Sequence, residues 1–276
     1  MLKFPSKTTK AEESKNVCGI SPALEKYNSN NTDKTIEGPV SKEGDWPWVV
    51  SLNSEGEGCT STLIGEKWIL TAAHCVTAGG QNTPNEKATA FAGSNEYLKG
   101  QNIPVEKIFV HSGWNWTTLS DDIALIKVSK VTFNDKIHPI CLSSKLTNAP
   151  KNNSIAVGWG KTWDGHHSNF TRLLHEDIIP IQPWQHCTDL ENHEPINPKK
   201  EICAGKGMHS VYHGDSGGPL MVIVNNRFYE IGITSWGLPA EDSQINENSD
   251  FEDIFTLIPA YCNWITETTN GEVKCE

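Results

Sequence analysis

This chain lacks several features, and each absence removes a class of function. It has no apolar run near the ~20 residues that span a bilayer as a helix, so no membrane anchor of that kind is expected. Its opening stretch, Met1-Leu2-Lys3-Phe4-Pro5-Ser6-Lys7, has no apolar signal-like core. It has no basic excess: the formal net charge is −11, which argues against nucleic-acid or anionic-membrane partners and leaves cationic substrates open. It has no Cys-x-x-Cys pair, so a zinc ribbon is not expected. There is no repeat, no low-complexity tract and no long helical periodicity.

What is present begins with eight cysteines, Cys18, Cys59, Cys75, Cys141, Cys187, Cys203, Cys262 and Cys275. An even, widely spaced set points to four disulfides and an oxidising compartment. Removal of a secretory signal is therefore the expectation, since eight thiols fit the cytosol poorly. Glycosylation sequons at Asn30, Asn115, Asn152 and Asn169 agree with that setting. Residues 1–34 are polar and read as a partly flexible segment. From residue 35 onward, short β-like runs alternate with turn clusters. One set is Trp46–Leu52, Ser61–Leu70, Ala88–Ala92, Ile103–His111 and Ile123–Val128. A second is Ser154–Trp159, Leu174–Ile181, Gly218–Val224, Phe228–Trp236 and Asp253–Leu257. Two such sets predict an all-β chain of two antiparallel barrels or sandwiches. The stretch 258–267 reads as a short helix, with positions 258, 261, 264 and 265 on one face.

The chemistry centres on His213-Gly214-Asp215-Ser216-Gly217-Gly218-Pro219. Glycines on both sides of Ser216 let the backbone turn tightly. Such a turn can aim the N–H groups of Gly214 and Ser216 at one point, as an oxyanion requires, beside a hydroxyl that a nearby base could activate. Taken alone, it is equally a Gly-rich turn between strands. Leu70-Thr71-Ala72-Ala73-His74-Cys75 puts a histidine between small residues and a cysteine. Asp121-Asp122-Ile123-Ala124-Leu125-Ile126 puts two carboxylates before a buried-looking strand. A buried carboxylate needs a partner, and an imidazole N–H provides one that also fixes the tautomer. Adjacent strand residues point to opposite faces, so only one aspartate can face His74; the residues alone leave open which one, or an ordinary strand-entry turn for both.

In the order His74, Asp122, Ser216, these pieces resemble the trypsin/chymotrypsin family of serine endopeptidases. The matching motifs are Thr-Ala-Ala-His-Cys, Asp-Ile-Ala-Leu-Ile, Gly158-Trp159-Gly160, Gly-Asp-Ser-Gly-Gly-Pro and Ser235-Trp236-Gly237, spread over residues 35 to about 267. The resemblance implies two six-stranded antiparallel β-barrels with a short C-terminal helix. The first barrel would cover about 35–140, the second about 141–258 and the helix about 259–267, after a pro-segment over 1–34. The mechanism it implies is the family's own, taken over rather than derived. Ser216 is the nucleophile, His74 the base and Asp122 its orienting partner. Gly214 and Ser216 form the oxyanion hole. Ser235 supports Asp122, and Ser235, Trp236 and Gly237 pair with substrate backbone.

The same resemblance implies a zymogen cut at Lys34–Thr35, whose new ammonium pairs with Asp215. Thr35 departs from the family's isoleucine or valine. The disulfides implied are Cys18–Cys141, Cys59–Cys75 and Cys187–Cys203, with Cys262–Cys275 left by elimination. Ser154, Val222 and Tyr212 stand where other members carry cysteine. The pocket floor falls at Ser210, which suggests a hydrophobic or mixed P1 residue. Asp253 falls on the pocket wall, where glycine is usual, and leaves a basic P1 residue open. The acidic loop 241–253 is either an attractor for cationic substrates or simply a solvated face. Expected partners are protein or peptide substrates, protein inhibitors and an activating protease. No nucleic acid, membrane, cofactor or metal is expected, and the chain is expected to be a monomer. His166 and His167 read as exposed loop residues, and Glu86, Glu96 and Glu106 give no clear calcium pattern. A non-catalytic binding member of the same fold is the rival reading.

Overall fold

The computed structural model describes residues 18–28, 38–147, 154–163, 168–187, 196–206, 209–237 and 252–276. After a short helix α1 (Leu24–Asn28), the first half of the chain forms β1 (Val49–Ser54), β2 (Glu57–Gly65), β3 (Trp68–Thr71), β4 (Thr77–Ala78), β5 (Gln81–Asn82), β6 (Ala88–Ala92), β7 (Gln101–Ile103), β8 (Val105–Val110) and β9 (Ala124–Val128). β4 and β5 make a small ribbon. The other seven form one sheet in the order β7-β6-β1-β2-β3-β9-β8, antiparallel throughout. Its two edge strands are consecutive in the chain, joined by Pro104 alone, so the sheet curls back on itself. Proline cannot donate to a ladder, and the single run expected over Ile103–His111 breaks there. That break makes seven strands where six were expected. The run expected over Ser61–Leu70 is likewise a hairpin, turning at Glu66–Lys67.

The second half forms β10 (Cys141–Leu142), β11 (Ser154–Gly158), β12 (Lys161–Trp163), β13 (Ser168–Phe170), β14 (His175–Ile179), β15 (Glu201–Ala204), β16 (Pro219–Val224), β17 (Arg227–Gly237) and β18 (Asp253–Leu257). Six of these run β14-β11-β16-β17-β18-β15, and an antiparallel bridge from Ile181 to Ala204 brings the two ends together. β10 adds a seventh strand by a short parallel pairing to β17. The chain ends in a 3-10 turn (Ile258–Tyr261) that leads into helix α2 (Cys262–Thr268). The protein is thus mostly β, with two antiparallel sheets and a short C-terminal helix.

Local chemistry explains much of this. β16 carries three β-branched residues, Val222, Ile223 and Val224, and both β1 and β16 are largely buried, as strands that pack against a core are. Asn225 and Asn226 both have positive φ, 50° and 60°, and join β16 to β17 in the two-residue turn that matches strand twist. Trp48, Leu52, Leu63, Ile69, Leu70, Leu125 and Ile126 are fully buried in one core that also takes in Met221 and Phe228 of the second sheet. The four disulfides are Cys18–Cys141, Cys59–Cys75, Cys187–Cys203 and Cys262–Cys275. Within the segment expected over 1–34, residues 18–28 fold as an ordered part of the molecule: Ala23 is buried and Tyr27 packs on Trp46 and Phe228.

Candidate active site

β3 delivers His74. After Thr71 the buried residues Ala72 and Ala73 lead into a 3-10 turn, His74–Val76, which the Cys59–Cys75 bridge fastens to β2. Asp122 lies two residues before β9. Its side chain is 1% exposed, and its Oδ2 lies 2.8 Å from His74 Nδ1. The backbone N–H of His74 donates to Asp122 Oδ1 at 2.9 Å, and Ser235 Oγ donates to Oδ2 at 2.5 Å. Thr256 Oγ1 holds the Asp122 carbonyl at 2.9 Å. Ser235 falls at a register shift in the β17–β18 ladder, and a bulge of this kind re-aims a side chain. Burial lowers the basicity of His74, but the charge and hydrogen bond of Asp122 outweigh it and raise the pKa.

Asp121 turns the other way. Its carboxylate accepts from Lys200 Nζ at 2.6 Å and from Tyr261 Oη at 2.8 Å. Burial raises its pKa, but these two donors lower it overall. The reason is not strand alternation: Asp121 sits in a turn with φ +53°. That left-handed residue sends the two neighbouring carboxylates apart.

The Ser216 loop docks onto the first sheet. Thr60 N–H donates to Ser216 O at 3.0 Å, and Thr60 Oγ1 donates to Gly214 O at 3.0 Å. Gly217 has φ +78°, and a Cβ there would lie 2.2 Å from Thr71 Oγ1, so the loop and the end of β3 fit only through a bare backbone. Asp215 accepts the N–H groups of Gly160 at 2.8 Å and Tyr212 at 2.9 Å. Cβ atoms on Gly158 and Gly160 would lie 2.1 and 2.3 Å from its oxygens, which is the physical content of the Gly-Trp-Gly motif. Burial raises the Asp215 pKa to about 6. Among the described residues, no acceptor takes the N–H of Gly214 or Ser216, and no hydrogen bond joins Ser216 Oγ to His74. The His74 Nε2 atom lies 3.8 Å from Cys75 Sγ.

A comparison with protein families agrees with this arrangement: the model of the family described as Trypsin matches residues 35–265. The chain belongs to the trypsin family. At that level it is a trypsin-like serine protease, a family whose substrates are proteins. The match begins at Thr35, so residues 18–28 lie outside it although they pack against it. Among the described residues, no helix is long and apolar enough to cross a membrane.

The residues that resemblance to the trypsin family assigns to the specificity pocket meet in space. Ser210 Oγ lies 3.0 and 2.8 Å from the two oxygens of Asp253, and Val211 N–H donates to Oδ2 at 3.0 Å. Asp253 is 3% exposed. It pairs across β18 with Gly237, where a Cβ would lie 2.5 Å from Oδ1. Burial raises the Asp253 pKa to about 8. Trp236 and Gly237 close β17 beside it. Lys34, Thr35, His166, His167, the loop 241–251 and the sequons at Asn30 and Asn152 lie outside the described residues. Asn115 is exposed in the turn before Asp121, and Asn169 lies in β13 opposite Thr162. Sequence reasoning missed Thr60 and Thr256. Each is an unremarkable threonine in its own strand, and only pairing across more than a hundred residues gives it a task.

Proposed function

We propose that this chain is a secreted serine endopeptidase, made as a zymogen and activated by a protease that cuts Lys34–Thr35. Ser216 Oγ attacks the scissile carbonyl, and its proton passes to His74. The tetrahedral oxyanion is held by the N–H groups of Gly214 and Ser216. His74 then gives the proton to the leaving amine, and water repeats the cycle on the acyl-enzyme. This is the family's established chemistry. The observation that carries the reading is the 2.8 Å contact of His74 Nδ1 with Asp122, backed by Ser235. It holds one ring nitrogen and leaves the other for the nucleophile. Catalytic hydrogen bonds to the nucleophile commonly tighten only with substrate bound. Removing one oxyanion donor typically costs about 3 kcal/mol in the transition state. Four disulfides fit an extracellular setting. Labelling of Ser216 by a fluorophosphonate tests the reading: loss of labelling in Ser216→Ala and His74→Ala is expected. An unreactive, correctly cut chain would favour the non-catalytic reading.

For specificity, the carboxyl of Asp253, bound to Ser210 and neutral below pH of about 8, supports a hydrophobic or mixed P1 residue at neutral pH. The same carboxyl, ionised at higher pH, favours a basic P1 residue as the second reading. A P1 profile on a peptide library tests both.

A further inference from the structure

Glu176, on β14, is a buried carboxylate with no part in the chemistry above. It is 2% exposed. Its Oε1 accepts from Tyr27 Oη at 2.9 Å and from Lys26 Nζ, both on α1. Its Oε2 accepts from Trp46 Nε1 at 2.7 Å, and that indole nitrogen also reaches Ser41 Oγ at 3.2 Å. The backbone N–H of Glu176 donates to Pro39 O at 3.1 Å, and neighbouring His175 Nδ1 bonds Gly38 O at 2.7 Å. Burial raises the pKa of this carboxyl, but Lys26 and Trp46 outweigh that and lower it. The ring of Tyr27 packs on Trp46 and, edge-on, on Phe228. Gly19 is tied in too, donating to Pro139 O and accepting from Phe228 N–H, both at 2.9 Å.

One side chain therefore grips the chain on both sides of the segment 29–37, which contains Lys34–Thr35. We propose that Glu176 is a positioning residue that clamps residues 18–28 onto the segment 38–46, so that the pro-segment stays docked by contact after the cut and holds the newly freed end in its active arrangement. The inference rests on the zymogen reading given above. It goes beyond the Cys18–Cys141 bridge, which tethers the segment but does not orient it. A tether sustains docking through effective concentration alone, so the clamp becomes visible only without the disulfide.

The test uses the full chain with Cys18→Ser and Cys141→Ser. Asn30→Asp, Asn31→Asp and Thr32→Asp complete an enteropeptidase site ending at Lys34. After cleavage, the fragment ending at Lys34 is expected to co-elute with the rest on size exclusion when Glu176 is intact. It is expected to separate in Glu176→Gln. Fluorophosphonate labelling should then fall roughly tenfold or more, in step with the docked fraction. When the fragment is stripped from the cleaved Glu176-intact protein with mild denaturant and the denaturant is then removed, excess synthetic peptide 18–34 carrying Cys18→Ser should restore labelling, and it should not do so for Glu176→Gln. Lys26→Met with Tyr27→Phe, which leaves Glu176 its Trp46 bond, keeps the test open if Glu176→Gln misfolds, and should also release the fragment. Retention of the fragment by the variants, or its loss with Glu176 intact, overturns the proposal. If the disulfide-linked chain labels no faster after cleavage than before, the zymogen reading fails, while co-elution still decides the clamp.

Discussion

If Asp253 lines the P1 pocket as proposed, specificity should change with pH. The carboxyl is 3% exposed, receives among the described residues the neutral donors Ser210 Oγ and Val211 N–H, and has the acids Asp215 and Glu252 nearby. Burial and then those charges lift its pKa to about 8. At pH 7 about one-tenth of the free enzyme carries the anion, and at pH 9 about nine-tenths, because one pH unit is a factor of ten. The kcat/KM for an arginine P1 substrate, divided by that for a leucine P1 substrate, should therefore rise roughly ninefold between those pH values. The ratio matters, because titration of His74 or of a new α-amino terminus affects both substrates alike and cancels. Asp253→Asn should flatten the ratio and leave the leucine profile in place. A ratio that stays level in the native enzyme, or still climbs in Asp253→Asn, refutes the reasoning. Stability moves with the same proton. The folded pKa is raised above the ordinary 3.8, so the cost of this group is absent below pH 3.8, grows as pH rises and is complete above about 8. Asp253→Asn should accordingly gain about 1 kcal/mol more over the native chain at pH 9 than at pH 7.

Other outcomes follow from named contacts. Asp122→Asn should lower kcat by about 10^4, the loss known for this family's template, and shift the acid limb of kcat/KM downward, since Asp122 is what raises the His74 pKa. Asp121→Asn should leave that limb unmoved, and equal loss in both would refute the assignment. Glu230 is fully buried, its Oε2 has no hydrogen-bond partner among the described residues, and Thr62 Oγ1 reaches its Oε1 only at 3.4 Å. Replacing an unpaired buried acid by a hydrophobe of similar size should stabilise by about 2 kcal/mol, so Glu230→Leu should raise Tm, and a fall would refute this. Gly217→Ala, with Thr71 Oγ1 2.2 Å and Thr60 O 2.6 Å from the new methyl, should cost clearly more than the ~1 kcal/mol of a bare positive-φ penalty. Gly44→Ala, at φ +88° with nothing within 4 Å, is the reference, and equal losses on thermal unfolding would remove steric docking from the account.

The local motifs were legible because each is short and contiguous. The glycines around Ser216 and the bare backbone of Gly158 and Gly160 stand out in short motifs, although what demands them lies far along the chain, at Thr71 and Asp215. Strand ends were less legible. The apolar run through Leu63 and Leu70 hides its turn at Glu66–Lys67, and Pro104, readable as a ladder break, was passed over. Only one aspartate was expected to face His74, for a reason the structure replaces: the positive φ of Asp121, not strand alternation, separates the two carboxylates. The docking of α1 was illegible. It depends on Glu176, some 150 positions away, and no pattern within residues 18–28 announces such a partner.

The buried and half-buried acids of this chain sort themselves by the donors they meet. Glu176 and Asp121 each receive a lysine ammonium, and their pKa values fall below the ordinary range. Asp215 receives two backbone N–H groups and stands at about 6. Asp253 receives one N–H and one hydroxyl and stands at about 8. Glu230 has a single long hydroxyl contact, and burial raises its pKa well above the ordinary carboxylate range. Neutral donors reduce the cost of burying an anion without removing it, whereas a cation removes it. Asp215 and Asp253 are therefore half-satisfied, and each gains most from a cation that arrives later. On the zymogen reading proposed above, that cation for Asp215 would be the α-ammonium set free by processing; on the second specificity reading, for Asp253 it would be a basic substrate side chain. Both would be drawn in by the same deficit, so activation and basic-P1 recognition should both weaken as pH falls through the respective carboxyl pKa, Asp253 first and Asp215 about two units later.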